Sequence, residues 1–181
     1  MTNHFELFGL APAYALDTEA LERAWREVQA RVHPDRYAHA GAAERRASLA
    51  WSARANEAYR LLKDPVERAR YLLELNGVDP QFETCTAMPE AFLQRQMELR
   101  EALAEARAAR DAARLAQLEQ EVAAAMQALE ADIARRMDAE RDYAGAAGLV
   151  RELQFLRRLA DEIDAAADCE QDDPDGAIAD R

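Results

Sequence analysis

The chain has 181 residues, enough for one domain or two small ones, and 50% of them are hydrophobic. With only 6 Gly, 6 Pro and 7% aromatics, the composition favours helices over sheets. A net charge of −12 excludes general binding to nucleic-acid backbones and leaves room only for a local basic patch.

A first short helical segment reads "HFELFGL", residues 4 to 10, and Gly9 and Pro12 end it. Asp17 or Thr18 then supplies an N-cap for a helix whose apolar stripe is Leu21, Trp25, Val28 and Val32. Arg23, Arg26 and Arg31 lie off that stripe. Pro34 lacks an N–H and biases His33 away from helical geometry, so the helix stops there. A second long helix is expected from about Ala43 to Leu62, burying Leu49, Ala53, Tyr59 and Leu62. Asp64-Pro65 restarts the chain, since proline suits a first helical turn. "VERARYLLEL" then runs to a stop at Asn76-Gly77.

The stretch "GVDPQFETCTAMP", residues 77 to 89, has no periodicity and reads as a linker. Three amphipathic segments follow. The first spans Pro89 to about Arg110. The second spans about Asp111 to Arg141 and buries Leu115, Leu118, Val122, Leu129, Ile133 and Met137. The third starts near Tyr143 and buries Leu149, Leu153, Leu156, Ala160 and Ile163. Short connections between such segments predict an antiparallel three-helix bundle. The acidic end, residues 168 to 181, has few large apolar residues and is expected to be disordered. The fold class is therefore all-α and two-lobed. Its parts are a helical hairpin unit over residues 1–77, a linker over 78–88 and a bundle over 89–167.

No apolar run approaches the ~20 residues that a membrane span needs. The two cysteines, Cys85 and Cys169, are far apart and read as free thiols in a reducing compartment. A cytoplasmic protein is expected. No Gly-rich phosphate loop is present, and no side-chain set offers both a base and a nucleophile. His33, His39 and Asp35 lack a third metal ligand at suitable spacing. The chain reads as no enzyme, with no cofactor and no metal.

Two features remain to carry a function. One is His33-Pro34-Asp35 at the tip of a helix pair, with arginines on the outer side of the first helix. By itself such a tripeptide is also a plain helix stop followed by an aspartate turn. The other lies in the bundle. Phe92, Leu99 and Leu103 form one stripe of the first segment, while Leu93 and Met97 lie a quarter-turn or more away. Glu98, Glu101 and Glu105 continue round from them. Phe155 falls off the Leu149, Leu153, Leu156 stripe of its own segment. A wide core face and a docking surface both fit these positions.

Residues 4 to 76 resemble a J-domain, the module that activates DnaK-class chaperones. The matching pieces are "FELFGL", "REVQARVHPDR" and "NEAYRLLKDPVERARY", in that order and at that spacing. With "FLQRQMELREALAE" and "VRELQFLRRL" further on, residues 4 to 165 resemble the HscB family of iron–sulfur co-chaperones. The resemblance implies two partners: a chaperone of the HscA/DnaK class and a scaffold client of the IscU type. It implies chaperone contacts at His33, Pro34, Asp35, Arg26 and Arg31. Glu22 and Glu27 dilute the basic run common before the motif. It implies client contacts at Leu93, Met97, Glu98, Glu101, Glu105 and Phe155, with Gln94 where some relatives are apolar. A J-protein for another client, or a scaffolding bundle without chaperone role, are the alternatives.

Overall fold

A computed structural model describes residues 3–37, 39–79 and 89–171 of the chain. Among these there is no strand. The helices are α1 (His4–Leu7), α2 (Thr18–Val32), α3 (Ala42–Lys63), α4 (Pro65–Leu75), α5 (Glu90–Ala109), α6 (Ala112–Ala134) and α7 (Tyr143–Gln171). A 3₁₀ turn, Pro34–Tyr37, follows α2, and a π-helical turn, Arg135–Glu140, follows α6. No helix among the described residues is long and apolar enough to cross a membrane.

Local chemistry sets most helix ends. Asn3 and Glu6 form a reciprocal capping box at α1. The Asp17 carboxylate accepts the N–H groups of Glu19 (2.9 Å) and Ala20 (3.0 Å), so Asp17, not Thr18, caps α2. Asp64 does the same for Val66 (2.8 Å) and Glu67 (3.1 Å), with Pro65 as the first residue of α4. At the end of α4, Gly77 takes φ of 71°, a left-handed conformation that only glycine adopts without strain. Its N–H reaches the Glu74 carbonyl, and that of Val78 reaches the Leu73 carbonyl.

The chain forms two compact units. One comprises residues 1–79 together with 134–143; the other comprises 80–133 with 144–181. In the first, α3 packs against α1, α2 and α4. Its buried residues include Phe5, Phe8, Tyr14, Leu21, Leu62, Val66, Leu72, Leu73 and Met137. Alanines at 55, 58 and 69 are fully buried, and their small side chains let neighbouring helices approach closely. Arg68 is buried too. Its Nε donates to the Tyr14 carbonyl (2.8 Å), its Nη1 to the Leu62 carbonyl (2.6 Å), and its guanidinium lies 5.1 Å from the Tyr14 ring centroid. A buried cation is tolerable only with partners of this kind.

In the second unit, Leu99, Leu103 and Ala106 of α5 meet Leu115, Leu118 and Val122 of α6 and Leu156, Leu159, Ile163 and Ala166 of α7. At ~25 cal/mol per Å² of apolar surface removed from water, this three-helix core stabilises the unit in the usual way. Arg110 takes the left-handed conformation (φ 51°) that turns α5 into α6.

The burial pattern departs from the sequence expectation in places. On α3, Leu49 is 56% exposed and Ala53 is exposed, while Ser48 and Ala55 are buried. On α7, Leu149 and Ala160 are half-buried, whereas Val150, Leu159 and Ala166 are buried. Leu129 of α6 is half-buried. Residues 134–143 continue the apolar pattern of α6 in sequence, yet they pack within the first unit. The expected linker lies outside the described residues from Pro80 to Met88. Of the acidic end, residues 168–171 extend α7, and 172–181 lie outside the described residues.

Candidate functional site

The hairpin of α2 and α3 positions the first candidate site. Its two helices are joined by polar contacts along one side. Asn56 Oδ1 accepts from Trp25 Nε1 (3.0 Å) and from Gln29 Nε2 (2.6 Å). Ser52 Oγ donates to Gln29 Oε1 (3.0 Å). The Trp25 and Tyr59 rings stack at 4.8 Å. These contacts fix the register of α2 on α3, and so the place of the tip.

At the tip, Pro34 opens the 3₁₀ turn and Asp35 follows it. The Asp35 side chain is 89% exposed. His33 Nδ1 accepts the Asp35 backbone N–H at 3.3 Å, and the Asp35 carboxylate lies 3.5 Å from the same nitrogen. The imidazole thus lies against the turn backbone while the carboxylate stays open to solvent. Arg26 pairs with Glu22 one turn earlier on α2. Arg31 is exposed and makes no ion pair among the described residues. The tip therefore displays one carboxylate beside one unengaged guanidinium and one partly neutralised one.

The tip also has supports outside the tripeptide. Arg36 Nη1 donates to the Ala30 carbonyl (2.8 Å). The Tyr37 hydroxyl donates to the Arg31 carbonyl (3.4 Å). Ser48 Oγ donates to the Val32 carbonyl (2.6 Å). Sequence reasoning did not single these out. For Ser48, the available signal was the run of small polar residues Ser48, Ser52 and Asn56 at i, i+4 and i+8, which puts them on one face of α3.

The second candidate site lies on α5. Leu93 is 42% exposed and Met97 is 64% exposed. Glu98, Glu101 and Glu105 are exposed on the same side of the helix. Glu98 accepts from Gln94 Nε2 (3.4 Å) and Arg95 Nη1 (3.5 Å). Glu101 and Glu105 form no ion pair among the described residues, so their charge faces solvent. Two large apolar side chains with a carboxylate edge are thus presented together.

Phe155 is in different company. It is half-buried and packs against the three-helix core. Its ring meets Phe92 edge-on at 5.7 Å, and the Arg100 guanidinium lies 5.5 Å from its centroid. Arg100 also reaches Glu162 at 3.9 Å. Arg100 sits on the face of α5 that holds Leu93 and Met97, whereas Phe92 lies about 140° round from Met97. Phe155 therefore borders the exposed pair through Arg100, and part of its surface belongs to the core.

A family model described as the HSCB C-terminal oligomerisation domain matches residues 88–164. The co-chaperone protein HscB homolog of Bordetella avium (strain 197N) is 53% identical over 163 residues, covering 90% of this chain and 96% of that protein. The chain belongs to the HscB co-chaperone family. Two solved HscB structures share its fold. Chaperone HscB from Vibrio cholerae has a TM-score of 0.82 at 35% identity, covering 93% of this chain and 99% of that one. The human co-chaperone HscB has a TM-score of 0.84 at 26% identity, covering 90% and 81%. In HscB terms, the α2–α3 hairpin belongs to the J-domain, and the α5 face lies in the stretch matched by the C-terminal family model.

Proposed function

We propose that this HscB-family chain serves iron–sulfur cluster assembly as an adaptor, stimulating the ATPase of an HscA/DnaK-class chaperone through the α2–α3 tip. On this reading Asp35 pairs with a cationic group of the chaperone, as a charge-assisted contact. Arg26 and Arg31 steer α2 onto an acidic chaperone surface. The α5 face carries an IscU-type scaffold, with Leu93 and Met97 buried on binding and Glu98, Glu101 and Glu105 setting orientation. The chain itself is no enzyme and binds no nucleotide. It works in the cytoplasm by holding client and chaperone together, which raises their effective concentration.

The observation that carries this reading is the Asp35 carboxylate, displayed to solvent on a turn whose backbone is held by His33. The test is the steady-state ATPase of a DnaK-class chaperone with the wild-type chain and with Asp35→Asn. Lost stimulation with an unchanged circular dichroism spectrum supports the reading. Full stimulation by Asp35→Asn rejects it. Adding an IscU-type scaffold probes the second half: stimulation that ignores the scaffold points to another client.

A further inference from the structure

The end of α2 leaves three consecutive carbonyls without helical partners, and each has its own side-chain donor. In a continuing helix, the carbonyls of Ala30, Arg31 and Val32 would accept N–H groups from residues 34, 35 and 36. None of those is available. Pro34 has no N–H. The Asp35 N–H goes to His33 Nδ1. The Arg36 N–H goes to the His33 carbonyl at 3.1 Å. The three carbonyls are met instead by Arg36 Nη1, Tyr37 Oη and Ser48 Oγ, in that order.

Two of these donors lie in the turn itself. Ser48 does not: it comes from α3, sixteen residues after the carbonyl it caps. It is also 5% exposed, one of the few buried polar residues among those described. At 2.6 Å, its bond is the shortest of the three. A buried serine on α3 thus holds the last carbonyl before His33-Pro34-Asp35. Below it, Ser52 and Asn56 continue the polar contact with Gln29.

We propose that Ser48 is a positioning residue for Asp35: by capping the Val32 carbonyl it holds the turn in the conformation that presents the carboxylate to the chaperone. This rests on reading the turn as the chaperone contact. Ser48 touches no partner. It acts by raising the fraction of molecules whose turn is ready to bind, and apparent affinity scales with that fraction. Losing one such buried bond changes a local equilibrium by roughly 3- to 10-fold.

The test uses the full chain and a DnaK-class chaperone, with ATPase followed against co-chaperone concentration. Ser48→Ala should raise the concentration for half-maximal stimulation about 3- to 10-fold and leave the plateau near wild type. Ser48→Thr, which keeps the hydroxyl, should restore most of the difference. Amide exchange should quicken at His33, Asp35, Arg36 and Tyr37 in Ser48→Ala while the α4 amides keep their protection. An unchanged half-maximal concentration overturns the proposal. So does exchange that quickens evenly across α2, α3 and α4, because Ser48 would then serve stability alone. Should Ser48→Ala fail to fold, Tyr37→Phe removes only the neighbouring hydroxyl cap. It should give a smaller shift in the same direction, and no shift overturns the proposal. Asp35→Asn runs alongside: if it stimulates normally, the reading of the turn has failed, whatever Ser48 does.

Discussion

The Asp138 carboxylate accepts the backbone N–H of Tyr14 with one oxygen, at 2.8 Å, and that of Ala15 with the other, also at 2.8 Å. The partners are 124 and 123 residues apart in sequence, yet they belong to one compact unit. Two N–H groups between α1 and α2 therefore depend on a side chain from the π-helical turn after α6. The same turn buries Met137, and Arg136 pairs with Asp142 at 2.8 Å to hold it. Asp138→Ala should destabilise this unit by about 2 kcal/mol, the usual cost of losing hydrogen bonds to a charged acceptor. Asp138→Asn keeps one acceptor oxygen and should fall between. Amide exchange at Tyr14 and Ala15 checks the site directly, and unchanged exchange there would reject the account. A fragment ending at Gly77 lacks Asp138 and Met137 and should melt below the intact unit.

How legible was this in the sequence? Helix ends were, because their causes are local: Asp17, Asp64-Pro65 and Asn76-Gly77 act within a turn of where they stand. The exposed Asp35 followed from Pro34, again a neighbour. What escaped depends on distant partners. The apolar pattern of α3 points to an inward face through Leu49, but that face runs through Ser48, whose hydroxyl meets the Val32 carbonyl at the end of α2. Nothing in the composition of α3 announces that contact. Likewise Asp138 lies in a segment whose pattern continues α6, while its partners lie near residue 14. Phe155 lies off the expected Leu149, Leu153, Leu156 stripe, but the buried stripe of α7 runs through Leu159 and Ala166, one turn and three turns on from it, so Phe155 joins the edge of the core. Its packing against Phe92 and Arg100 follows from the meeting of α5 and α7, which one helix cannot reveal.

The first unit should be sensitive to mild acid through His4. Its ring lies against Tyr71, tilted by 35° with centroids 4.6 Å apart, its backbone N–H donates to the Tyr71 hydroxyl at 3.0 Å, and its Nδ1 is buried without a hydrogen-bond partner among the described residues. Burial lowers its pKa below the ordinary 6.5; Glu57 opposes that and Arg54 adds to it. With the folded value below the unfolded one, the unfolded chain binds the proton more readily. The contribution of His4 is thus complete above pH 6.5 and is lost as pH falls from there through the folded value. His4→Gln should remove this part of the pH dependence. Thermal melts of both proteins between pH 5 and 8 provide the check, and parallel curves would reject it.

Glu152 on α7 predicts a shift of opposite sign. Burial raises its pKa above the ordinary 4.5, and Arg151 only partly offsets this. Its charged form is disfavoured in the fold, so the group favours folding below pH 4.5, and that contribution is lost as pH rises through the folded value. Glu152→Gln should therefore raise the melting temperature at pH 7. The gain should shrink on acidification and vanish below pH 4.5. A gain that persists at pH 4 would mean that glutamine acts by packing instead of by charge.

If the α5 face carries the client as proposed, binding and stability should be separable there. Leu93 and Met97 are exposed, so truncating them leaves the core of Leu99, Leu103 and Ala106 intact. Phe155 packs on that core and on Phe92, so its truncation leaves a void as well as a changed surface. Leu93→Ala with Met97→Ala should weaken binding of an IscU-type scaffold many-fold, since buried apolar area supplies most of the affinity. The melting temperature should stay within a degree or two of wild type, as expected for surface positions, roughly within ±0.5 kcal/mol. Phe155→Ala should instead lower the melting temperature and cost about 2–4 kcal/mol, by the usual scale for partly buried aromatic truncations. Glu101→Gln with Glu105→Gln should change the salt dependence of binding more than its strength, because both carboxylates are exposed and screened. Calorimetry of each variant, read beside its melt, tests the division. Undiminished binding by the Leu93 and Met97 double variant would remove this face from the client surface.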